Sequence, residues 1–278
     1  MTQPLRPPLF LDLQSHGVQP GRAAARGQNF TIERICGEPG GGYSFASRTE
    51  IIILLPETGA RLSGDHQGDL PGHAIAILPA GTYAVEKVGA GDVYILATDR
   101  SDAAGGVETI NARAYAAPDE RVRAVGAPYA RIAFLDQLRI YRIEDVAIPP
   151  DNGRLRFIQS ETMSLNWVEY DGARDRGALS PHAHADAEQA TLAIDGSFVH
   201  HLRTPWGRDA EAWREDLHLV AGPASVVIIP PEIIHTTEGN GDGRHVLVDV
   251  FAPPRQDFIA RNWVFNAGEY AAPVERQA

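Results

Sequence analysis

Asn111-Ala-Arg-Ala-Tyr-Ala-Ala-Pro118 returns near the end of the chain as Asn266-Ala-Gly-Glu-Tyr-Ala-Ala-Pro273, identical at six of eight positions. Two further pairs keep the same order. Ala76-Ile-Leu-Pro-Ala-Gly-Thr-Tyr-Ala84 aligns with Val227-Ile-Ile-Pro-Pro-Glu-Ile-Ile-His235, and Asp92-Val-Tyr-Ile-Leu-Ala97 with His245-Val-Leu-Val-Asp-Val250. Ordered matches at similar spacing read as two copies of one unit. The boundary falls in the Ala-, Asp- and Arg-rich stretch 118–130, which gives one unit over 1–118 and a second over 119–278.

Each copy is built from short apolar or β-branched runs. Ile51–Leu55, Ala74–Leu78, Val93–Ala97, 226–229 and 246–251 all have Gly, Pro, Asp or Asn close by, which is the pattern of strands. Helical periodicity is scarce: 118–125 is the best candidate and 210–215 a weaker one. Many short strands separated by Gly/Pro turns point to an all-β sandwich or barrel.

With 278 residues and 44% hydrophobic content the chain can bury a large core. No stretch approaches the roughly 20 apolar residues of a membrane helix, and the opening Met-Thr-Gln-Pro-Leu-Arg-Pro-Pro has no apolar leader region. Cys36 is the single cysteine, so no intrachain disulfide forms. The net charge is −11, Lys87 is the only lysine and no cationic run exists, which argues against binding a phosphate backbone. The expectation is a soluble cytoplasmic protein with neither a nucleic-acid nor a membrane partner.

Three histidines carry the chemistry. His182 and His184 lie in Ser180-Pro-His-Ala-His-Ala-Asp-Ala-Glu-Gln189, and His235 ends the second copy's Pro-Pro-Glu-Ile-Ile-His run. On a strand, residues flanking a single position leave the same face. Taken singly, a His on an apolar strand is more often a hydrogen-bonded core residue. Three that can converge suggest a divalent metal, because neutral imidazole is the commonest transition-metal ligand.

This pattern resembles the cupins. Their first motif is Gly, five residues, His-x-His, three or four residues, Glu, six residues, Gly; Gly177, His182, His184, the Glu188/Gln189 pair and Gly196 resemble it. Their second motif is approximated by Gly222, Pro230, Glu232, His235 and Asn240, with Glu232 in place of a turn glycine. The fourth ligand stays open between two residues. Strand parity favours Glu188, whose face continues with Leu192 and Ile194; spacing favours Gln189, whose face continues with the smaller Thr191 and Ala193.

The resemblance implies two tandem double-stranded β-helix (jelly-roll) barrels, with a metal-binding C-terminal barrel and a degenerate N-terminal one. It implies one divalent transition metal, Fe(II) first, with Mn, Ni, Co or Zn as alternatives, and a small oxygen-rich chelating substrate. Two-domain cupins of the quercetin- and gentisate-dioxygenase type suggest dioxygenase chemistry. Segment 249–258 is similar to the closing segment of sugar-acid cupins, in which the equivalent acid sits near substrate. Asp249 and Glu232 are therefore the acid/base candidates. The alternatives are a sugar-acid isomerase or lyase with a redox-silent metal, and a non-catalytic metal- or metabolite-binding protein. Exposed sheet edges in such barrels favour a homodimer.

The first copy lacks the ligands. Ala84 aligns with His235, and Gly42-Tyr-Ser-Phe-Ala-Ser-Arg-Thr-Glu50 contains no His; His66 and His73 lie off the motif spacing. His200 and His201 are adjacent, so at most one faces a barrel interior. Arg203 and Arg214 read first as solvated surface groups, and Trp206 and Trp213 as packing residues of a loop between the two motifs.

Overall fold

The computed structural model describes residues 5–14, 21–98 and 108–273. The first half gives Leu9–Asp12 (β1), Arg22–Arg26 (β2), Thr31–Ile35 (β3), Gly42–Ser47 (β4), Ile51–Leu55 (β5), Ala60–Gly64 (β6), Gly68–Leu70 (β7), Ala74–Leu78 (β8), Gly81–Lys87 (β9) and Val93–Ala97 (β10). The second half gives Ala130–Arg131 (β11), Arg139–Arg142 (β12), Leu155–Gln159 (β13), Ser164–Asp171 (β14), Gln189–Asp195 (β15), Ser197–Arg203 (β16), Leu217–Ala221 (β17), Ser225–Ile229 (β18), Ile234–Asn240 (β19), Arg244–Phe251 (β20) and Tyr270–Ala271 (β21).

Two antiparallel six-stranded sheets carry the repeat: β12-β8-β5-β10-β3-β2 and β1-β18-β15-β20-β14-β13. Smaller sheets, β4-β9-β6-β7 and β17-β16-β19, complete each jelly-roll barrel. The chain is thus all-β, with two double-stranded β-helix barrels in tandem. The halves exchange edge strands: β1 pairs with β18, and β12 pairs with β8.

Strand alternation explains why the runs look apolar throughout. On β5, Ile52 and Leu54 pack into the core between the two large sheets, while Ile51, Ile53 and Leu55 fill the first barrel. On β20, Val246, Val248 and Val250 face the shared core, leaving Leu247, Asp249 and Phe251 for the second barrel. A strand buried on both faces loses its polar alternation.

The repeated Asn and Tyr make a pseudo-twofold clasp. The Asn111 carboxamide accepts from Arg26 N and donates to Arg26 O at the end of β2; Asn266 does the same with Gln159 at the end of β13. Each Tyr then reaches into the other half. The Tyr115 hydroxyl donates to Glu188 at 2.8 Å, and that of Tyr270 to Glu50 at 2.7 Å. Both carboxylates also accept a backbone N–H, from Gln28 and Glu161 respectively. Glu188 and Glu50 immediately precede β15 and β5, so they are equivalent in the repeat.

The expected helices do not form. Over 118–125 the Asp119 carboxylate takes both the backbone N–H and the guanidinium of Arg121, a local turn that competes with helix. In 210–215 only the short 3-10 turn Ala210–Ala212 appears, capped by Asp209. The α-helix among the described residues is Gln256–Ala260, which begins within the segment 249–258 and runs past its end. No described helix is long and apolar enough to cross a membrane.

Candidate metal centre

His182 and His235 are brought together by backbone pairing. Each donates its N–H to the other's carbonyl, at 3.0 and 2.7 Å, in an isolated antiparallel bridge. His184 is fixed by its carbonyl, which accepts from Glu232 N at 2.7 Å. The three rings lie 4.4, 5.0 and 5.3 Å apart between centroids, and one ligand nitrogen from each lies within 4.8 Å of the others.

The tautomers follow from the neighbours. His182 Nδ1 sits 2.9 Å from Ser180 O, and His235 Nδ1 2.9 Å from Ile233 O. A carbonyl only accepts, so each Nδ1 carries the proton and each Nε2 keeps its lone pair. Burial, followed by the charges of Arg255 and the neighbouring histidines, pushes the His184 pKa down to about 3. Burial and His182 push that of His235 down to about 4. These rings are neutral near pH 7, the form that binds metal.

The side-chain amide of Gln189 faces the cluster. Its Oε1 stands 3.1 Å from both His184 Nε2 and His235 Nε2. Its Nε2 donates to Asp249 Oδ1 and Thr191 Oγ1, each at 2.9 Å. An ionised Asp249 only accepts, which orients the amide with oxygen toward the rings. Lone pairs of Oε1 and of His235 Nε2 facing each other at 3.1 Å repel unless a cation lies between them. The donor set therefore fits a divalent ion of the Mn–Zn series.

The structure does not bring the remaining candidates to this point. Glu188 is buried on the opposite side of its strand in the Tyr115 clasp, with Arg6 Nη1 3.8 Å away. Glu232 is exposed on the turn before β19 with φ of 70°, and it supports His184 through its backbone alone. Asp249 does reach the cavity, but its oxygens accept from Gln189, Thr191 and Asn166. Burial raises its pKa. Of the adjacent pair, His200 is the inward residue, 1% exposed and bonded to Thr237 Oγ1 at 2.9 Å. His201 lies outside with Glu238 and His218. Trp206 stacks on Trp213 over a separate surface groove, away from the histidines.

Above the cluster opens a cavity of about 510 Å³. Phe157, Phe251, Phe258 and Trp263 form an aromatic wall on one side. Arg154, Arg174, Arg255 and Arg261 also line it; the sequence reading passes over all four, because no motif marks an arginine that meets the site only through the fold.

Neither a family model nor a curated protein matches this sequence. Solved structures do. A point mutant of Bacillus subtilis oxalate decarboxylase is 12% identical, covers 92% of this chain and 78% of its own, and superposes with a TM-score of 0.60. A Lactobacillus farciminis oxalate decarboxylase formate complex is also 12% identical, covering 89% and 86%, with a TM-score of 0.60. Another B. subtilis oxalate decarboxylase structure concerns that enzyme's Mn(II) centres. At this identity the likeness establishes a shared fold.

Proposed function

We propose that the second barrel is a metal-dependent enzyme for a small oxygen-rich chelating substrate, and that its reaction is of the dioxygenase type at Fe(II). His182, His184, His235 and Gln189 would hold the ion. The observation that carries the reading is the convergence of Gln189 Oε1 and two Nε2 atoms at 3.1 Å. All four donors are neutral, so the ion keeps its double charge and favours an anionic, bidentate oxygen ligand. When bound, such an ion supplies Lewis acidity and, if it is iron, redox chemistry with O2.

The chain's own residues prepare this. Backbone carbonyls hold two of the rings, Asp249 holds the amide, and Val168, Leu247 and Phe251 line the approach with apolar surface that excludes water. An isomerase or lyase needs an uncommitted acid or base within reach of its substrate. Asp249 accepts from three side chains, and Asp257 is held by both forks of Arg255. This supports oxygen chemistry over proton transfer. The raised pKa of Asp249 favours the second reading, a lyase with a redox-silent ion and Asp249 as proton carrier. Fold relatives named for decarboxylating oxalate, a small chelating dianion, and the Mn(II) of one of them support the substrate class and a divalent ion.

The test is oxygen uptake by Fe(II)-loaded protein against catechols, flavonols and keto-enols, with Zn-loaded protein beside it. Uptake with iron alone is expected. Product formed without oxygen, by either form, would move the assignment to the lyase.

A further inference from the structure

The strand pleat layers the cavity. Along β14, Asn166, Val168 and Tyr170 stand in register with Asp249, Leu247 and His245 of β20. Asn166 and Asp249 belong to the metal end, and Val168 and Leu247 make an apolar middle. Tyr170 opens a third layer, about 13 Å from the first at roughly 3.3 Å per residue.

Two guanidinium groups stand at that far end. Arg154 lies over the Tyr170 ring at 5.8 Å, and its Nε is buried without a partner. Arg174 donates to Ala178 O at 3.2 Å and reaches Thr237 O at 3.4 Å. Among the described residues neither forms an ion pair. The acids nearby are engaged: Glu238 meets Arg176 and His201, each at 3.1 Å, and Asp175 accepts from Gly177 N. The other cavity arginines are committed differently. Arg255 is bidentate to Asp257, and Arg261 lies over Trp263 at 4.7 Å. Burial and the charge of Arg154 both lower the Arg174 pKa, so two cations are held together at a cost.

The platform is prebuilt. Tyr170 stacks on His245 at 5.2 Å with 11° between planes. A Cβ at residue 239 would fall 2.1 Å from the Tyr170 hydroxyl, so the ring seats only against Gly239.

We propose that Arg154 and Arg174 form an anion subsite for a carboxylate carried by the substrate at the end opposite its chelating oxygens, with an apolar body lying along Val168 and Leu247. Which end chelates rests on the metal reading above; the subsite itself does not, and it is testable without metal. Paired guanidinium groups recognise a carboxylate through charge-assisted, forked hydrogen bonds.

The experiment is calorimetric titration of metal-free protein with 3-phenylpropionate and with 3-phenylpropionamide, which share an apolar body and differ in charge. The acid should bind at least about tenfold more tightly than the amide, and R154Q and R174Q should each weaken the acid by about tenfold or more. R154K, which keeps the charge and loses the fork, is the second variant and should fall between wild type and R154Q. Equal binding of acid and amide, no binding of the acid, or wild-type affinity in R174Q would overturn the proposal. If wild type binds the acid yet takes up no divalent ion, the metal reading fails and the anion subsite stands.

Discussion

The two barrels share a backbone and differ at a few ladder positions. In the first, Ile51 lies opposite Ala97 and Ile53 opposite Ile95. In the second, Gln189 lies opposite Phe251 and Thr191 opposite Asp249. Ile51, Ile53 and Ile95 thus occupy the places of Gln189, Thr191 and Asp249. Three branched alkyl groups fill one interior with Phe45, Tyr83 and Val85 packed against them. A carboxamide, a hydroxyl and a carboxylate in the other form a hydrogen-bonded triad beneath three imidazoles. Meanwhile Glu50 and Glu188, one residue before these strands, do the same work in both copies. The clasp and the shared core are common property of the repeat; the three histidines and the polar triad beneath them belong to the inward face of one copy.

That contrast can be broken from its strong end. His235→Ala should lower metal affinity by more than about a hundredfold while the fold survives, read by elemental analysis after dialysis against a fixed free-metal level. Gln189→Ile imports the first barrel's residue. It should cost about ten- to a hundredfold in metal affinity by the same measurement, and it should lower the melting temperature, since buried Asp249 and Thr191 lose the donor that the amide supplies to each. Glu188→Gln tests the shared part: stability should fall by about 1–3 kcal/mol in urea melts, because Tyr115 loses a charged acceptor, while metal content stays at wild-type level. A Glu188→Gln protein that loses its metal would make Glu188 the ligand instead.

The smallest effect is on pH. Burial pushes the His200 pKa down to about 3, against an ordinary value of 6.5. Below about pH 6.5 the unfolded chain takes up a proton that the folded one refuses. Stability of the metal-free protein is therefore full above that pH and declines as pH falls toward 3. His184 and His235 add to the slope in the same sense. His200→Gln should flatten the decline measurably in melts between about pH 7 and 4; an unchanged slope would remove His200 from this account.

Much of this is legible in the sequence. The strands Ile51–Leu55, Ala74–Leu78 and Val93–Ala97 form over the bounds expected from their apolar runs, because a strand between two cores needs no alternation to be recognised. The repeated Asn and Tyr are equivalent hydrogen-bonding residues, and the three histidines converge. The alignment of the copies holds at Leu78 and Ile229 but is one residue out between β10 and β20. Asp249 shares its place with Ile95 rather than Leu96, and Ala84 is the half-exposed residue between buried Tyr83 and Val85. A slip of one exchanges the faces of a strand, and no apolar pattern can correct it in strands buried on both sides. The choice between Glu188 and Gln189 stays open in the sequence for a related reason. What turns Glu188 away is Tyr115 in the other half, a partner 73 positions distant along the chain. Arg154 and Arg174 are invisible there because their meaning lies in the carboxylates they lack, which only the folded cavity reveals.

The most direct measurement is an anomalous-difference map from a crystal of protein loaded with Fe(II) or Mn(II), collected at the metal's absorption edge. A single peak should lie about 2.0–2.2 Å from Nε2 of His182, His184 and His235 and from Oε1 of Gln189, with none inside the first barrel. A peak against Glu188, a peak in the first barrel, or featureless density among the three imidazoles would contradict it.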